Sequence, residues 1–139
     1  MTDLQSHAAG VHDTAEIDIT VPADGAYLSV LRTAAAGLAA RLNFTLDDIE
    51  DLRIAVDEAC SILLAQAVPD SRLSCSFHMT ADSVTVRAGV RAVNPRIPSR
   101  DGFAWTVLSA LASQVEFDVQ PPDQLQIELS QHRASTEQR

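Results

Sequence analysis

The pattern of apolar residues predicts an α+β fold: a two-layer α/β sandwich with helices on one face of a mostly antiparallel sheet. Three observations carry this reading. Two long stretches place apolar residues three and four apart, as a helix buried on one side requires. From residue 72 the period falls to two, the mark of strands with one apolar face. The elements run β-α-α-β-β-α-β-β, and one-sided strands with amphipathic helices need each other as covering layers.

The first strand is predicted over 15–21, where Ile17, Ile19 and Val21 alternate with Glu16, Asp18 and Thr20. Pro22 ends it, and Asp24 is a plausible N-cap. A helix over 25–42 follows, with Tyr27 or Leu28, then Leu31, Ala35, Leu38 and Leu42, at helical spacing. Arg32 is the only charge between Asp24 and Arg41. The second helix lies within Asn43–Gln66. Thr45 caps it, Asp47 and Asp48 suit the positive end of its dipole, and Ile49, Leu52, Val56, Ala59 and Leu63 form the buried stripe. Arg53 and Asp57 stand one turn apart, and Pro69 stops the helix.

A hairpin comes next. Leu73, Cys75, Phe77 and Met79 alternate with Ser74, Ser76, His78 and Thr80. Past a turn at Ala81-Asp82, Val84, Val86, Ala88 and Val90 alternate with Ser83, Thr85, Arg87 and Gly89. A Pro-containing loop over 92–101 leads to a third helix over 103–114, with Phe103, Val107, Ala110 and Leu111 on one side. Val115, Phe117 and Val119, then Leu125, Ile127 and Leu129, mark two last strands around the turn Pro121-Pro122-Asp123. The chain has 139 residues, 46% of them hydrophobic, enough for one core. A single domain is expected over 14–132, with a disordered tail at 1–13 and a frayed one at 133–139.

Charge narrows the function. The net charge is −9, and there is no lysine. Residues 1–70 hold twelve carboxylates against three arginines, whereas residues 71–139 hold seven of each. Such a chain repels phosphate backbones, so no direct nucleic-acid binding is expected; its acidic half could attract a basic protein partner. No apolar run reaches the ~18 residues of a membrane span, and no secretory signal is expected. Cys60 and Cys75 have no disulfide or metal spacing and read as reduced core residues of a cytoplasmic protein.

No Gly-rich phosphate loop, Cys/His ligand set or Ser/His/Asp set is present. Glu58, in mid-helix one residue off the buried stripe, reads as either a general base or an ordinary boundary residue. At this segment a family resemblance enters. Leu42–Gln66, with its run Thr-Leu-Asp-Asp-Ile-Glu-Asp-Leu-Arg-Ile-Ala-Val-Asp-Glu-Ala-Cys-Ser, resembles the N-box region of the anti-sigma factor serine kinases. These RsbW/SpoIIAB-type proteins are a branch of the GHKL (Bergerat-fold) ATPases, and the chain looks similar to actinobacterial, UsfX-like members. The order of elements matches over residues 15–131. The resemblance implies a cytoplasmic dimer that sequesters a sigma factor and is released by an anti-anti-sigma (STAS-domain) partner. Kinase members phosphorylate that partner on Ser or Thr with Mg-ATP.

The family's nucleotide motifs carry over in part. Glu58 matches the N-box Glu, a base, but Ile62 stands where an Asn would help hold Mg²⁺, which needs oxygen ligands. The Asp-x-Gly motif, whose Asp reads adenine, is replaced by Arg87-Ala88-Gly89-Val90-Arg91. The Gly-rich box has become Gly102-Phe103-Ala104-Trp105, with only Gly102 kept, and the lid is shortened to 92–101. The resemblance therefore implies a degenerate site, with Glu58 as a remnant base, Gly102 as a remnant cofactor-binding position and no metal ligands. ATP and Mg²⁺ are expected only if that site still works. Arg32 falls where the family uses an arginine to contact both the sigma factor and its antagonist. Three readings stand: an ATP-independent anti-sigma factor, a working serine kinase, and a pseudo-enzyme that binds another protein.

Overall fold

A computed structural model describes residues 14–134. The tail expected over 1–13, and residues 135–139 of the frayed end, lie outside the described residues. Five strands form one antiparallel sheet: β1 (Ala15–Pro22), β2 (Arg72–Met79), β3 (Ser83–Arg91), β4 (Gln114–Gln120) and β5 (Gln124–His132). They are ordered β1-β2-β3-β5-β4. Three helices, α1 (Leu28–Arg41), α2 (Leu46–Gln66) and α3 (Phe103–Leu111), cover one face. The expected α+β sandwich and element order are both present.

The alternation read from the sequence sets the two faces. Leu73, Cys75, Phe77, Val84, Val86, Ala88, Val90, Leu125, Ile127 and Leu129 are buried under the helices. The residues between them face outward and are polar. Leu31, Ala35 and Ala39 of α1, and Leu52, Val56, Ala59 and Leu63 of α2, meet that layer. Leu28 rather than Tyr27 begins the buried stripe of α1, because Gly25–Tyr27 form a separate 3-10 turn whose Ala26 amide donates to Asp24. Thr45 caps α2 by accepting from the Asp48 amide at 3.1 Å. Asn43 turns the chain between the helices at φ 63°, a left-handed conformation that asparagine tolerates. Cys60 and Cys75 are free and buried, and burial pushes the Cys60 thiol up to about 12.

Several expectations need correction. β1 is an edge strand, and Ile17 is 40% exposed because no helix reaches over it. α2 stops at Gln66, three residues before Pro69, because Ala67 leaves the helix to bridge Ala92. The third helix ends at Leu111, and the Ser113 amide is already bonded to the Ser130 carbonyl of β5. Its buried face is also different. Phe103 is 79% exposed, whereas Trp105, Leu108 and Ala112 are buried. The indole removes more apolar surface than any neighbour and finds a partner for its N–H, and this rolls the helix away from the Phe103–Val107–Leu111 stripe. Arg133, expected to begin the frayed end, donates its amide to Asp82 and its guanidinium to the Leu42 carbonyl. No helix of the described residues is long and apolar enough to cross a membrane.

Candidate functional site

Successive residues of a helix differ by about 100° in direction. Asp57 and Glu58 therefore leave α2 on opposite sides of its buried stripe. On the Asp57 side stands α1, and Arg32 reaches across to it. The Arg32 Nη1 to Asp57 Oδ1 distance is 2.6 Å, with the two side chains 32% and 42% exposed. Arg32, the charge in the middle of α1, is thus half-buried and shared with α2. Arg53 and Asp57, one turn apart on α2, are not bonded to each other. Arg53 turns back one turn to Glu50 at 2.7 Å, whose carboxyl its hydrogen bonds hold below the usual carboxylate value. Asp57 is free for Arg32 because α1 packs alongside, which helical spacing within α2 could not reveal.

On the other side, Glu58, Ile62 and Gln66 follow at intervals of four and share a face. Glu58 and Ile62 are half-buried, and Ile62 packs against the core. Gln66 clamps the 92–101 loop: its Nε2 donates to the Arg96 carbonyl at 2.9 Å, and its Oε1 accepts the Arg96 amide at 2.8 Å. Two residues further on, the same loop is held by Trp105, whose Nε1 donates to the Pro98 carbonyl at 2.6 Å. The Arg100 guanidinium lies 4.3 Å over the Trp105 ring, and Phe117 meets that ring edge-on at 5.4 Å. The middle of the loop is thus held at Arg96 and Pro98 by side chains of α2 and α3.

Gly102 is the N-cap of α3 at an ordinary φ of −86°. Its amide donates to Ser99 at 2.9 Å, and its carbonyl accepts from the Thr106 amide and hydroxyl. That amide is therefore committed within the chain rather than offered to a phosphate. Among the described residues, no group of three or more His, Cys, Asp or Glu side chains could hold a metal. Magnesium needs oxygen donors, and one turn beyond Glu58 there is the side chain of Ile62. Ile62 therefore supplies no oxygen donor at that position. The structure brings Glu58, Ile62 and Gln66 onto one face and sets Gly102 at the far end of the strapped loop. It keeps Arg32 apart from them. Asp57 and Gln66 escaped the sequence reading: their roles depend on neighbours 25 and 30 residues away in the chain.

The strand order, the helix layer and the α2 flank beside the strapped loop define an N-box sandwich of the kind expected from the sequence. Comparisons with known proteins carry the assignment further. No family model matches the chain. It is 39% identical over 77 residues to a serine-protein kinase RsbW of Halalkalibacterium halodurans, a match covering 55% of this chain and 48% of that protein. It is 32% identical over 109 residues to an anti-sigma-F factor RsbW of Mycobacterium tuberculosis, covering 77% of this chain and 65% of that protein. The match thus spans about half of the first relative and just under two thirds of the second. A solved structure of the RsbU and RsbW domains of Rv1364c from Mycobacterium tuberculosis superposes with a TM-score of 0.64 at 14% identity, over 86% of this chain and 32% of that one. The chain is thus similar in sequence to RsbW proteins over these stretches, and its fold agrees with that of the solved structure.

Proposed function

We propose that this protein is a cytoplasmic anti-sigma factor that binds and sequesters an alternative sigma factor of the sigma-B/sigma-F type without ATP, and that an anti-anti-sigma protein with a STAS domain releases it. The observation that carries the reading is the 32% identity, over 77% of this chain, to an anti-sigma-F factor. Two features support it. Arg32 is a half-exposed guanidinium on the helix layer, and it uses one nitrogen on Asp57, which leaves further donors for a partner carboxylate. The opposite flank of α2 is occupied by Ile62 and the strapped loop, which favours a binding protein over a nucleotide enzyme. The protein acts as a homodimer, by resemblance to the family.

Sequestration is tested by transcription in vitro. Adding the purified protein to polymerase holoenzyme containing its host's sigma-B/sigma-F-type factor should abolish transcription from that factor's promoters. Full transcription at a molar excess of the protein sinks the proposal. Adding the STAS partner should restore transcription without ATP.

A working serine kinase is the second reading. A relative that is 39% identical is a serine-protein kinase, and Glu58 is retained half-buried on α2. Calorimetry with Mg-ATP separates the two. Saturable binding that is lost in Glu58→Ala establishes the kinase reading; no heat of binding establishes the ATP-independent one.

A further inference from the structure

The face of the sheet turned away from the helices carries a groove of about 480 Å³, within the size range of small-molecule sites. It lies over β2, β3 and β5, on the other side of the sheet from α2 and the 92–101 loop. Arg72, Arg87 and Arg91 line it, with Ser74 and Ser76 between them; the Ser76 hydroxyl donates to the Asp18 carboxylate at 2.8 Å. No carboxylate is among its lining residues. In a chain of net charge −9, three of the ten arginines meet in this one groove.

These guanidinium groups are only partly engaged. Arg72 donates one long hydrogen bond, 3.4 Å, to the Thr20 carbonyl. Arg87 touches Glu128 through Nη2 at 3.4 Å, and Arg91 uses Nε on Asp123 at 2.9 Å. Each guanidinium has five N–H donors, so most of the donors along this groove are unused by protein. The floor is bare as well. Gly89 contributes no side chain there, and a Cβ at this position would come within 3.2 Å of Gln126 Cγ. Beyond Arg87 a second groove of about 320 Å³ carries Glu116, Asp118 and Glu128. Those carboxylates repel anions and confine one to the Arg72–Arg91 side.

We propose that this groove binds a small multivalent oxyanion, a phosphorylated or polycarboxylate molecule held by the forks of Arg72, Arg87 and Arg91. Planar guanidinium pairs with phosphate and carboxylate through two parallel hydrogen bonds, which three arginines with most of their N–H donors unused are suited to make. The site is separate from the flanks of α2 and stands whether or not the chain sequesters a sigma factor.

Calorimetry of the full-length protein with pyrophosphate, and separately with citrate, tests this. Saturable one-site binding is expected for at least one probe. Tighter binding of pyrophosphate assigns a phosphoryl ligand; tighter binding of citrate assigns a polycarboxylate. The double variant Arg72→Gln/Arg91→Gln should weaken binding at least ~10-fold, the loss of two charge-assisted contacts. Arg87→Gln should weaken it less, and Arg53→Gln, on α2, should leave it unchanged. All four arginines are surface residues, so circular dichroism of the variants should match the parent. In nitrogen-15 spectra, the Nε–H signals of Arg72, Arg87 and Arg91 should shift with the ligand and that of Arg53 should not. Absence of saturable binding with both probes overturns the proposal, as does affinity that survives the double variant.

Discussion

On the α1 flank of α2, Asp57 holds Arg32 at 2.6 Å with both side chains still open to solvent. On the opposite flank, the same helix presents Glu58 beside Ile62 and uses Gln66 to clamp the 92–101 loop. The first flank keeps polar groups where a partner can compete for them. The second commits Gln66 to the loop backbone and sets Ile62 against the core. One helix can do both because side chains 100° apart face different neighbours. A substitution on one flank therefore need not disturb the other.

Four experiments break or sharpen that contrast. The largest effect is expected from Trp105→Ala. It removes a buried indole that joins Pro98, Arg100 and Phe117, and should cost about 3–5 kcal/mol in urea unfolding. A loss below about 1 kcal/mol would show that the ring does not anchor the loop. Arg32→Glu should come next, acting on binding. In the proposed interface, reversing this charge should weaken sigma-factor binding by about 2 kcal/mol or more, roughly 30-fold. The fold should survive, with Tm moving less than about 5 °C, because the Arg32–Asp57 pair is substantially exposed. Unchanged affinity in surface plasmon resonance would remove Arg32 from the interface.

Ile62→Asn restores the amide that the N-box pattern lacks. Placing that amide among apolar neighbours should cost about 1–3 kcal/mol. Calorimetry should still detect no Mg-ATP binding, since Trp105 and the Gln66 clamp are unchanged; gain of binding would mean that Ile62 alone blocks the site. The smallest effect belongs to Asp57→Asn. It releases Arg32 from its intramolecular partner at a stability cost under about 1 kcal/mol. Sigma-factor affinity should rise a few-fold, and a fall would mean that Asp57 positions Arg32 rather than competing for it.

Local signals made most of the fold legible. Thr45 caps α2 as its side chain allows, and the alternation from Leu73 to Val90 fixes which face of the hairpin is buried. The N-box segment was legible too, because it is one continuous helix. The third helix was misread. Its stripe could be drawn through Phe103 or through Trp105, and only the loop carbonyl at Pro98 and the ring of Phe117 favour the second. The Arg53–Asp57 spacing did not show that Asp57 takes its partner from α1 and Arg53 its own from Glu50.

By itself the sequence determined the element order, the polar and apolar faces of each strand, the caps, and the absence of an Asn one turn after Glu58. These are properties of neighbours within a few residues, where backbone geometry alone dictates which side chains share a face. Tertiary structure decided the rest. It chose Asp57 as the partner of Arg32, committed Gln66 to the loop and Trp105 to Pro98, and gathered Arg72, Arg87 and Arg91 from two strands into one groove. Each of these joins groups far apart in the chain, so no local period records it; the packing of helices on the sheet and the pairing of strands create the proximity.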